Sequence, residues 1–183
     1  MTEAVPGRQR VYLAGPDVFL PNAAEVAAAK QAVCGRLGLV GVHPFDAEVA
    51  LDAVARGEAR GLALHDALVD QLDGCDAGIA NLTPFRGPSA DVGTALEVGY
   101  LVGRGRPVVG YTNVDSHYAE RVDADGLAVE DHDLADNLML EGAVRRSSGV
   151  PILRADVAPD RRLSDLAAFE RAAIVLAEVL RRR

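Results

Sequence analysis

Asp76-Ala77-Gly78-Ile79-Ala80, then the loop Asn81-Leu82-Thr83-Pro84-Phe85-Arg86-Gly87-Pro88-Ser89-Ala90, then Asp91-Val92-Gly93-Thr94-Ala95-Leu96-Glu97-Val98-Gly99-Tyr100, is the stretch that decides the fold. After Asp76, Ala77–Ala80 is a short apolar run without polar alternation. Such a run reads as a strand buried on both faces. Residues 81–90 carry Pro84, Gly87 and Pro88 and read as a polar loop. Residues 91–103 read as a helix, with Ala95, Val98 and Val102 spaced for packing. A buried strand followed by a loop and a helix is half of a parallel βαβ unit.

The same alternation continues on both sides. Upstream, Val11-Tyr12-Leu13-Ala14 is an apolar run stopped by Gly15-Pro16. A helix follows over 22–36, with Asn22 as its cap, then a weak strand at Leu39–Val42 closed by Pro44. Residues 58–73 read as a helix whose Leu64, Leu68 and Leu72 form an apolar stripe, with Asp66, Asp70 and Asp73 opposite. Downstream, Pro107–Tyr111 is a fourth strand. Residues 113–133 are irregular with a short helix near 116–122, residues 134–141 a short helix, Val150–Leu153 a fifth strand, and 163–182 a long amphipathic helix. Residues 1–9 are a polar tail, so residues 10–183 form one doubly wound α/β domain with a mostly parallel, flavodoxin-like sheet. In such sheets a ligand sits beyond the carboxyl ends of the strands, which directs attention to residues 14–20, 43–48, 81–91 and 111–115.

Composition narrows the chemistry. The 183 residues carry a net charge of -8, which repels phosphate and argues against nucleic acid as a partner. Aromatic residues are 4% and Trp is absent, so a base-stacking platform for single strands is not expected. Two cysteines, Cys34 and Cys75, exclude a disulfide framework and a four-cysteine zinc site. No signal peptide and no run of about 20 apolar residues is present, so no membrane association is expected and a cytoplasmic location is.

Phosphate-binding and metal motifs are missing too. Gly15-Pro16-Asp17-Val18-Phe19 is not a dinucleotide fingerprint, and there is no Walker sequence. Arg86-Gly87-Pro88-Ser89 leads into a helix N-terminus that would accept an anion, but Asp91 stands at the same place and repels one. None of His43, His65, His117 and His132 is spaced as a metal pair, and there is no nucleophile elbow. No metal and no cofactor is expected. What remains is carboxylates. Asp91 and Glu97 are six residues apart, about 1.7 turns, and so point in different directions. Gly93 and Gly99 weaken the helix around Glu97 by roughly 1 kcal/mol each, which suggests close approach of a ligand or another backbone. Periodicity alone reads Glu97 as a plain surface residue.

Val11-Tyr12-Leu13-Ala14-Gly15-Pro16-Asp17-Val18-Phe19, the block from Cys75 to Tyr100, and Asp136-Asn137-Leu138-Met139 together resemble the nucleoside 2-deoxyribosyltransferase family. The resemblance runs in order over residues 10–141, and the central block is its specific part. It implies an enzyme that takes the base off a 2'-deoxyribonucleoside and passes the sugar to another, free purine or pyrimidine base. Glu97 stands at the position of the family nucleophile, which forms a covalent deoxyribosyl intermediate. Tyr12 matches the strand tyrosine that orients it. Asp91 matches the residue that holds the 5'-hydroxyl and disfavours a 5'-phosphate. Asn137 matches an asparagine that reaches the sugar from a neighbouring subunit, which implies a homo-oligomer with shared active sites. Asp17 and Phe19 lie on the loop over the base, and Gly15, Asp46 and Glu48 complete the expected pocket. The family places an Asp or Asn eight residues before the strand aspartate to help protonate the base. Here that position is Leu68, and Asp17 is the substitute candidate. Two other functions stay open: an N-glycoside hydrolase in which water replaces the acceptor base, and a nucleoside-binding module without catalysis.

Overall fold

The computed structural model describes residues 7–47 and 56–183. Five strands form one sheet: β1 (Arg10–Ala14), β2 (Val40–Val42), β3 (Ala77–Asn81), β4 (Val108–Thr112) and β5 (Leu153–Arg154). Their order is β2-β1-β3-β4-β5 and every pairing is parallel, with Leu13 opposite Ile79 and Ile79 opposite Val109. This is the expected doubly wound α/β sheet.

Strand residues alternate between two cores. Val11, Leu13, Ile79, Val109 and Tyr111 pack against α1 (Ala23–Arg36) and α5 (Ala167–Arg181). On α5 the buried residues are mainly alanines, so the helix lies close to the strands. Tyr12, Ala14, Ala80 and Val108, with Leu82 just after β3, face α2 (Glu58–Asp73), α3 (Val92–Gly103) and α4 (Leu138–Ser148). Two strand glycines are required on this second face. A Cβ on Gly78 would lie 2.6 Å from Leu101 Cδ1, and one on Gly110 would lie 2.8 Å from Leu82 Cδ1. Each lets a neighbouring leucine side chain settle onto the sheet.

Several boundaries differ from the sequence reading, each for a local reason. The short helix expected over 134–141 begins after Asn137 and runs on to Ser148. Asn137 Oδ1 caps it by accepting the Met139 N–H at 3.0 Å, and Gly149, in the left-handed region at φ 77°, ends it. The segment near 116–122 holds only a 3₁₀ turn at Ala119–Arg121. The final helix starts at Ala167, after turns over 159–164, with Asp165 Oδ1 accepting from Ala167 N–H at 3.0 Å. The leucine stripe of α2 is only partly used in the core: Leu72 is buried, while Leu64 and Leu68 remain half-buried. No described backbone packs closely against Gly93 or Gly99. A Cβ at Gly99 would meet nothing within 4 Å, and one at Gly93 only Asp91 Oδ2 at 3.0 Å. Both glycines open onto grooves beside α3.

Candidate active site

The strand order reverses between β1 and β3, which opens a crevice at their carboxyl ends. Tyr12, in the middle of β1, turns toward α3 and donates its hydroxyl to Glu97 Oε1 at 2.7 Å. This joins residues 85 positions apart and fixes one carboxylate oxygen. Glu97 Oε2 takes no hydrogen bond among the described residues. Burial raises the Glu97 carboxyl to about 7, with the charges of Asp91 and Asp17 adding to the rise and the Tyr12 hydrogen bond opposing it. Tyr12 itself is buried and its pKa is driven far up, first by burial and then by the neighbouring Glu97, so it stays a donor.

Glu97 lies on the wall of a groove of about 520 Å³ between α2 and α3. Leu64, Leu68, Val69, Leu72 and Leu96 make most of its lining. Among the described residues the groove is thus an apolar slot with one carboxylate in it, large enough for a flat heterocycle. The half-buried stripe of α2 forms one wall.

Asp91 is the N-cap of α3. Its Oδ2 accepts from Thr94 N–H at 3.0 Å and the Thr94 hydroxyl at 3.3 Å. Oδ1 takes no hydrogen bond among the described residues, so the cap leaves one acceptor oxygen open.

Asp17 has a different setting from the one expected of a proton donor. It is 1% exposed and pairs with Lys30 Nζ at 2.7 Å. Asn81 Nδ2 approaches the same oxygen at 3.4 Å. His43 Nδ1 accepts from Phe45 N–H at 3.2 Å, which leaves its proton on Nε2, 3.7 Å from Asp17 Oδ2. Burial alone would raise Asp17, but the contacts with His43 and Lys30 outweigh it and hold the carboxyl at about 2. Asp17 is therefore an anion at neutral pH and has no proton to give a leaving base. This corrects its assignment as the acid: it is an anchor that ties the loop after β1 to α1, β3 and the segment after β2. Gly15 belongs to this anchor. A Cβ there would lie 2.5 Å from Asp17 Oδ1 and 2.8 Å from Asn81 Cβ, so packing within the chain accounts for the glycine.

Asp46 is likewise committed to the scaffold. Its Oδ2 accepts from His43 N–H and Gln31 Nε2, both at 2.8 Å, and it borders a shallow hollow away from Glu97. Glu48 lies outside the described residues. Phe19, 56% exposed, stacks on Phe85 with ring centroids 5.3 Å apart, and the Arg86 guanidinium covers both rings. Together they form an aromatic cluster contributed by the loops after β1 and β3. Asn137 opens on a second groove of about 420 Å³, across α3 from the one that holds Glu97. The chain thus does not bring Asn137 into its own Glu97 groove.

Three residues to which the sequence assigns no role hold this arrangement. Lys30 sits in the buried stripe of α1 with Ala23, Val26, Ala27, Val33 and Cys34, and that misplaced charge was its available signal. His43 is fully buried beside Asp17. Asp136 binds Ser89 Oγ, Ala90 N–H at 2.9 Å and Asn137 N–H at 2.7 Å, which staples the loop before α3 to the start of α4. Among the described residues, no cluster of His, Cys, Asp or Glu is placed to hold a metal ion, and no helix is long and apolar enough to cross a membrane.

A family model for nucleoside 2-deoxyribosyltransferases matches residues 11–139. An uncharacterized protein of Schizosaccharomyces pombe is 35% identical over 165 residues, covering 76% of this chain and 78% of that protein. Among solved structures, a 2-desoxiribosyltransferase from Leishmania mexicana is 28% identical with a TM-score of 0.65, covering 91% of this chain and 97% of that one. A conserved protein from Enterococcus faecalis shares the fold at 19% identity and a TM-score of 0.55, over 96% of this chain and 99% of that one. The matched span runs from the strand of Tyr12 to the cap of α4 and includes the whole Tyr12–Glu97 site. The chain belongs to the nucleoside 2-deoxyribosyltransferase family.

Proposed function

We propose that the protein exchanges the base of 2'-deoxyribonucleosides by two displacements at Glu97. The hydrogen bond of 2.7 Å from Tyr12 to Glu97 Oε1, on the wall of an apolar groove, carries this reading. Tyr12 fixes one oxygen and leaves Oε2 to attack the anomeric carbon. The nucleoside loses its base, a deoxyribosyl-Glu97 ester forms, and a second purine or pyrimidine base displaces the glutamate. Two inversions give net retention, as in retaining glycosidases. The apolar walls keep water from the ester and favour the flat acceptor base. No metal or cofactor takes part in this scheme.

Incubation with deoxyinosine and free adenine, followed by chromatography, tests it. Deoxyadenosine and hypoxanthine are the expected products, and deoxyinosine alone should remain nearly intact. Release of deoxyribose at the same rate with and without adenine would instead identify a hydrolase.

Asp91 Oδ1 is the acceptor for the sugar 5'-hydroxyl. Asp91→Ser retains a good N-cap, so α3 should lose only a few tenths of a kcal/mol. It removes a negative charge where the helix dipole favours an anion. Turnover of deoxyinosine should fall at least tenfold, while the preference for deoxyinosine over its 5'-monophosphate narrows by about tenfold, roughly 1.4 kcal/mol. Unchanged discrimination would remove Asp91 from the 5'-end.

Asn137 serves the site of a neighbouring subunit. Its groove lies on the other side of α3 from Glu97, and Val92 and Met139, 85% and 73% exposed, leave apolar surface there for a second copy. Asn137→Ala and Glu97→Ala should each be inactive as pure oligomers. After subunit exchange, mixed oligomers should recover part of the wild-type rate through hybrid sites. Absence of recovery after demonstrated exchange would place each site within one chain.

A further inference from the structure

A departing base carries the electron pair of the broken glycosidic bond and needs a proton. Asp17 is anionic and Leu68 has none to give. Tyr100 also lines the groove, but its hydroxyl is donated to Asp73 Oδ1 at 2.8 Å. Among the described residues, the other titratable group lining the groove with Glu97 is His65. It precedes Leu68 by three residues and Val69 by four on α2, so it shares their helix face. Its Nδ1 lies 2.9 Å from Asp66 Oδ1. That contact places the Nδ1 proton on the carboxylate side and leaves Nε2 without a partner among the described residues.

We propose that His65 is the general acid and base of the transfer reaction, oriented by Asp66 and acting from the α2 wall of the groove opposite Glu97. The inference rests on the base-exchange reading of the site. In the first step Glu97 Oε2 forms a bond to the anomeric carbon. The bond from that carbon to the base nitrogen breaks, and its electron pair stays on the base. The Nε2–H of the imidazolium gives its proton to a ring nitrogen or carbonyl oxygen of the base. The products are the deoxyribosyl ester, a neutral base and a neutral imidazole. In the second step the imidazole takes a proton from the incoming base as its nitrogen attacks the sugar. The ester electron pair returns to Glu97, and charge and protons balance over the cycle.

The test compares kcat/KM of wild type, His65→Gln and Glu97→Ala on deoxyinosine, deoxyguanosine and 7-methyldeoxyguanosine. The last carries a cationic base that leaves without taking a proton. His65 is exposed, so glutamine should leave the fold intact. His65→Gln should lose about 100-fold or more on deoxyinosine and deoxyguanosine but less than about threefold on the methylated substrate. Glu97→Ala should lose all three. An equal loss of His65→Gln across the series, or no loss, would overturn the proposal while leaving the Glu97 mechanism standing. A wild type inactive on all three, or Glu97→Ala as active as wild type, would overturn the base-exchange reading and His65 with it.

Discussion

Glu97→Gln is expected to abolish base exchange and, at the same time, to stabilise the protein above neutral pH. The amide keeps the shape of the side chain, and its oxygen still accepts from Tyr12. It cannot form the glycosyl ester, so the rate should fall by at least about 1,000-fold. The stability effect follows from the raised carboxyl. Burial lifts Glu97 from 4.5 to about 7, so between these values the folded state keeps a proton that the unfolded chain releases. Folding stability therefore declines as pH rises through this window, by up to roughly 3 kcal/mol above pH 7. Glutamine removes that dependence. Thermal unfolding at pH 8 should show the variant several degrees more stable than wild type, with the gap closing toward pH 4.5. A variant no more stable than wild type at pH 8 would show that Glu97 is not buried as a charge. The same titration sets activity: wild-type kcat/KM should fall tenfold per pH unit below about 7, where Glu97 takes up its proton.

The second large effect is on stability at Lys30. Lys30→Met leaves the Asp17 carboxylate buried, with only Asn81 at 3.4 Å and His43 at 3.7 Å beside it. Breaking a buried pair from one side costs about 3–5 kcal/mol. Burial pulls Lys30 below its ordinary pKa, with Asp17 opposing that pull, so the ammonium depends on this carboxylate. Lys30→Met/Asp17→Asn removes both charges and should return most of the loss. Denaturant unfolding of the two variants measures this, and a cost below about 1 kcal/mol in Lys30→Met would mean that the pair anchors nothing. In the wild type, the Asp17 contribution is present above its ordinary value of 3.8 and is lost as pH falls toward about 2.

The sequence made the sheet readable because β1, β3 and β4 are unbroken apolar runs closed by Gly, Pro or Asn, and buried parallel strands have no other pattern. Helix α4 was less readable. Beyond Asn137 its buried positions are only Leu140, Glu141 and Val144, and Arg145-Arg146-Ser147-Ser148 carry no apolar period. The Tyr12–Glu97 pair was legible through the family blocks, since no spacing rule links positions 85 residues apart. The change of role at Asp17 was hidden, because it depends on Lys30 and His43 arriving from two other elements. The groove was hidden as well. Leu64 and Leu68 read as core-facing from their period, whereas the packing of α2 leaves them lining the slot beside Glu97.

The central claim is that Glu97 bonds to the sugar. A 2-fluoro-substituted deoxynucleoside slows the second displacement by destabilising its oxocarbenium-like transition state, so the ester should accumulate. Mass spectrometry of the digested protein should then place one fluorinated pentosyl group on the peptide that contains Glu97, and addition of free adenine should discharge it. A label on any other residue, or steady turnover of deoxyinosine by Glu97→Ala, would contradict the account.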